Sequence, residues 1–109
     1  MNIENQVEKI VSSFKTFLNN SRQDVKTIKV SENVEFSSEE LEEIFNEIVM
    51  EISNGNLAIY ERNILNGYFT EFLIKTNKAL FVFHLFFEKT AGKYKLYLIE
   101  MSKFFNEKI

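Results

Sequence analysis

The residues best equipped for chemistry in this 109-residue sequence are its one histidine and the charged groups that strand alternation sets beside it. Two-residue turns fix hairpin register. A turn at Asn66-Gly67 places Arg62 opposite Glu71, and one at Asn77-Lys78 places Glu71 opposite His84. A third at Ala91-Gly92 places His84 opposite Ile99. Arg62, Glu71 and His84 then form one row across a sheet face. The row has two readings. In the first it is a polar site in a cavity, with Glu71 as a base or His84 as a pH-sensitive group. In the second it is a cross-strand charge ladder at an interface. The ladder is favoured, because an arginine beside a carboxylate keeps it ionised and inert. One histidine with one nearby carboxylate is also a poor metal site, since zinc takes at least three protein ligands.

Other reactive constellations are missing, so no catalytic residue and no metal site is assigned. The sequence has no cysteine and no second histidine, which removes thiolate chemistry and most nucleophile–base pairs. Its three glycines, Gly55, Gly67 and Gly92, are each explained by a turn or a helix stop, leaving no glycine loop for a phosphate. No cofactor is implied. Glu40, Glu43, Glu47 and Glu51 repeat at three- and four-residue steps and share a helix face. Calcium needs clustered loop oxygens, which a straight helix face does not supply. The face is either simply solvated or meets a basic protein partner.

The charge distribution sharpens that choice. Between Ser31 and Glu61 there are nine acidic residues and no Lys or Arg, while the flanking segments carry net charges of +2 and +4. Direct nucleic-acid binding needs a basic stripe, and the longest charge block here has the wrong sign. An acidic block fits a basic host protein such as one that itself handles nucleic acid. The absence of cysteine argues for a reducing, cytoplasmic setting. The longest strongly apolar run, Ala79 to Phe87, is too short to span a bilayer, so no membrane role is expected. Proline and tryptophan are absent, and Asn, Lys, Ile, Phe and Glu are abundant. AT-rich genomes produce that bias, and they are common among viruses and other mobile elements.

The elements that must position these residues read as one α+β domain over residues 1–109. Asn2 to Asn20 is an amphipathic helix, with Ile3, Val7, Ile10, Val11, Phe14, Phe17 and Leu18 on one stripe. Asp24 to Phe36 is extended, with Ile28, Val30, Val34 and Phe36 on one parity and a turn or bulge at Glu32-Asn33. Ser37 to Ser53 is the best-signalled helix. Ser37 and Glu40 form a capping box, Phe36 and Leu41 a hydrophobic staple, and Asn54-Gly55 a C-terminal stop. From Leu57 the apolar period switches to two. Four strands follow, near 57–65, 68–75, 79–89 and 93–102, and then a short tail in which Phe104 and Phe105 are expected to dock. The fold expected is two helices on one face of a four- to five-stranded antiparallel sheet ending in a β-meander.

Phe72, Ile74, Phe81, Phe83, Leu85, Phe87, Leu96 and Leu98 fall on the drier sheet face, which the helices should cover. The other face carries Tyr60, Phe69, Phe86 and Tyr97 around the Arg62, Glu71 and His84 row, with Leu73, Val82 and Met101 beyond it. An apolar patch of that kind marks an interface, and a homodimer packed face to face is the simplest cover. A small-molecule-binding domain of the cystatin-like or NTF2-like kind is the alternative. It would require the Phe-rich face to enclose a cavity of roughly 300 Å³ or more.

Two stretches also resemble a known family. "DVKTIKVSENVEFSSEELEEIFNEIVMEI", from Asp24 to Ile52, is a strand followed by a capped, acidic helix. "KYKLYLIEMSKFFNEKI", from Lys93 to Ile109, is an aromatic-rich strand with "IEM" and a basic-aromatic tail. Both are similar to the small type I-D anti-CRISPR proteins of Sulfolobus rod-shaped viruses, over about two-thirds of the chain as pattern. The first helix is longer here, and the aromatic strands lack tryptophan. The resemblance implies a homodimer without catalysis that binds the large subunit of a CRISPR effector. It assigns no individual binding residues.

Overall fold

The computed structural model describes residues 3–20, 22–52, 57–64, 67–76 and 79–105, and of residues 3, 4, 20 and 57–64 the backbone alone. Two helices and an antiparallel sheet alternate as α1 (Ile3–Asn20), β1 (Val25–Lys29), β2 (Glu35–Phe36), α2 (Ser38–Ile52), β3 (Leu57–Ile64), β4 (Gly67–Lys75), β5 (Ala79–Thr90) and β6 (Lys93–Phe105). The expected fold class is observed. Strand order is β1-β6-β5-β4-β3, with β2 pairing β6 beyond β1 on the same edge.

Helical spacing decides what is buried. Val7, Ile10, Val11, Phe14 and Phe17 of α1 and Leu41, Ile44, Phe45, Ile48 and Ile52 of α2 are all buried. Both stripes lie on the same sheet face, and aromatic rings make the join. Phe14 stacks on Phe83 at 4.2 Å between ring centres, and Phe17 meets Phe81 and Phe83 edge-on. Phe45 reaches Phe72 and Phe87, and Phe36 sits edge-on to Phe87. Each buried phenylalanine contributes about 2–3 kcal/mol by area alone, and such ring pairs add about 0.5–1.5 kcal/mol. The Phe-rich side is thus filled by side chains.

Local signals hold where the backbone is described. Ser37 N–H donates to Glu40 Oε1 at 2.8 Å, and Glu40 N–H donates to Ser37 Oγ at 3.2 Å, closing the capping box. Ala91 and Gly92 both have positive φ, 50° and 77°, as a two-residue hairpin turn demands. The expected helix stop at Asn54-Gly55 and the turn residues Asn66, Asn77 and Lys78 lie outside the described residues.

The registers differ from expectation in two places. In the β3–β4 hairpin Ile64 pairs with Gly67, so Tyr60 stands opposite Glu71 and Arg62 opposite Phe69. The expected Arg62–Glu71 pairing is displaced by two residues, which keeps the face and changes the neighbour. The β4–β5 register is as expected, with Glu71 opposite His84.

The second difference changes faces. The β5–β6 ladder starts in the expected register, with Thr90 opposite Lys93 and Phe87 opposite Leu96. A bulge between Phe86 and Phe87 then shifts it by one, so Phe86 pairs with Leu98 and His84 with Glu100, not Ile99. A one-residue slip exchanges the two faces of a strand. Ile99 and Met101 therefore enter the core, Met101 completely, while Leu98 leaves it for the half-buried outer face. All three are the reverse of the sequence expectation. The extended segment beside β6 breaks at the same level. Val30 N–H donates to Tyr97 O and Leu96 N–H to Val34 O, so residues 31–33 loop out where β6 carries its extra residue. The interruption expected at Glu32-Asn33 is this excursion. β6 also runs further than expected. Leu80 pairs with Phe104 and Ala79 with Phe105, so these two phenylalanines extend the strand and remain 58% and 60% exposed. They are not a docked tail.

Candidate functional site

Strand pairing writes the outer sheet face as parallel rows. Phe69, Phe86 and Leu98 form one, flanked by Arg62 on β3 and Lys29 on β1. Glu71, His84 and Glu100 form the next, flanked by Tyr60 and Thr27. Leu73, Val82 and Ser102 form a third, and Lys75, Leu80 and Phe104 a fourth. Both helices pack on the other side. No described element of this chain lies over these rows, although most of their side chains are only half-buried and many are apolar.

The polar row is a three-member chain. His84 Nε2 lies 2.7 Å from Glu71 Oε2, and Nδ1 lies 3.3 Å from Glu100 Oε1. Both partners are acceptors. A neutral imidazole donates from one nitrogen only and turns a lone pair to the other carboxylate, whereas the imidazolium donates to both. The side chains of His84, Glu71 and Glu100 are 19%, 26% and 38% exposed, so the chain is shielded but open to solvent. Aromatic rings hold the imidazole from one side. It meets Phe69 and Phe86 edge-on at 5.5 and 5.7 Å, and Phe86 continues to Tyr97 at 6.3 Å.

This geometry decides what the row can do. The two carboxylates sit at opposite edges of the ring and cannot converge with one nitrogen on a single cation. Among the described residues no group of three or more histidine or acidic side chains could hold a metal ion. Glu71 stands on the outer sheet face with Oε2 engaged by His84. The row is a hydrogen-bonded ladder across three strands.

Of the expected site residues the structure brings together Phe69, Glu71, His84, Phe86 and Tyr97. Tyr60 and Arg62 take register positions on the same face. Glu100 was missed, because the expected register put Ile99 in its place. The signal for it is in the sequence. Apolar residues occupy even positions at Tyr94, Leu96 and Leu98 and odd positions at Ile99 and Met101, and the adjacent pair Leu98-Ile99 marks the change of parity.

The acidic helix face divides. Glu40 is half-buried and committed to the capping box. Glu51 pairs with Lys15 of α1 at 3.6 Å, both ends about half exposed, which is worth little in water. Glu43 and Glu47 are exposed. They line an open groove along α1 with Lys15 and Ser12, and the groove continues to Lys9, whose Nζ lies 3.3 Å from Glu32 Oε2. No phenylalanine lines this groove. No helix among the described residues is long and apolar enough to cross a membrane.

No family model matches this chain, and no curated protein matches it by sequence. Two solved structures share its architecture. ORF-99 from the archaeal virus AFV1, described as thermo- and acido-stable, superposes with a TM-score of 0.60 at 13% identity, covering 94% of this chain and 98% of that one. ORF14 from Sulfolobus islandicus filamentous virus superposes with a TM-score of 0.58 at 12% identity, covering 90% of this chain and 83% of that one. At such identity the likeness is one of fold: this chain folds as two small proteins of archaeal viruses do.

Proposed function

We propose that this chain is a non-enzymatic protein-binding module of viral origin that inhibits a host nucleic-acid-handling complex, a CRISPR effector being the case its sequence resemblance implies. One observation carries the reading. A sheet face with apolar rows on both sides of a hydrogen-bonded polar row is left uncovered by its own helices, and antiparallel sheets that face only water alternate with polar residues. The viral structural neighbours support the origin. The exposed Glu43 and Glu47, in the acidic stretch around α2, support a basic host protein as partner, through steering more than through tight contact. The host cytoplasm, where such complexes work, is the setting proposed.

Self-association belongs to the same reading, at the apolar end of the outer face. Leu80 and Phe104 face each other across β5 and β6 there, with exposed Val25 at the end of the adjoining row. A twofold contact buries that cluster against its own copy.

The test is functional and direct. Purified chain is added to a reconstituted type I-D effector, and target-DNA cleavage is followed while complexes are separated by size. Cleavage should fall at near-stoichiometric chain, with the chain migrating with a protein subunit. Full cleavage with no co-migration refutes the CRISPR assignment. Co-migration with naked DNA refutes the protein-binding reading itself.

A further inference from the structure

We draw no further inference here: the strongest candidate, the aromatic patch of Phe69, Phe86 and Tyr97 on the outer sheet face, belongs to the protein-binding surface already proposed, and nothing in the structure shows what covers it.

Discussion

Thr70 offers a stability measurement with an unusual sign. It lies on β4 facing the helices, fully buried, and its hydroxyl has no hydrogen-bond partner among the described residues. A buried hydroxyl left unpaired costs about 1–3 kcal/mol relative to one in water. Thr70→Val keeps the branched shape and the strand propensity, exchanges the hydroxyl for a methyl group, and adds apolar contact with the core. The variant should therefore be more stable than the parent by about 1–2 kcal/mol, against a background in which most core substitutions destabilise. For a domain of this size that corresponds to a rise in Tm of about 4–12 °C. Thr70→Ser makes the opposite test. It keeps the orphan hydroxyl and deletes a buried methyl, which should cost about 1 kcal/mol. Urea unfolding of the three proteins, with equal slopes, reads the differences without assuming a unfolding temperature in common. If the valine variant is no more stable than the parent, the Thr70 hydroxyl is hydrogen-bonded in solution and the reasoning fails.

Three further outcomes follow from the surface. Glu40→Ala should lose about 0.5–2 kcal/mol, because it opens the capping box. Glu43→Ala and Glu47→Ala should each stay within about 0.5 kcal/mol of the parent; similar losses at all three positions in thermal melts would deny Glu40 its special role. Reversing Glu43 and Glu47 to Lys should slow association with the host protein and weaken its salt dependence, measured by stopped flow at two ionic strengths, and unchanged rates would assign that face to solvent. Leu80→Asp with Phe104→Asp should convert a dimer to a monomer in sedimentation equilibrium without unfolding it, since both side chains are already exposed; a parent that is monomeric at high micromolar concentration would defeat the self-association proposal.

Much of this molecule was legible because its determinants are local. The capping box needs only Ser37 and Glu40 three residues apart. The stripes of α1 and α2 need only the helical repeat, and the Ala91-Gly92 turn needs only residues that accept positive φ. The face of Glu71 and His84 followed from a period of two and one short turn. The remainder depends on pairings between distant residues. Ladder energies are nearly the same in neighbouring registers, so the choice falls to side chains that meet across the sheet. Beyond Phe87, keeping the simple register would have sent Leu98 and Glu100 into the helix-covered core and left Ile99 and Met101 outside. One extra residue in β6, matched by the excursion at residues 31–33 on its other neighbour, reverses that and buries Ile99 and Met101. The same slip brings Glu100 to His84. The amino-acid sequence by itself thus determined which elements form and which residues of β4 and β5 share a face. Only the tertiary structure decided which residue of β6 completes the polar row, because burying a methionine and an isoleucine in place of a leucine and a glutamate is an energy that exists only once helices cover the sheet.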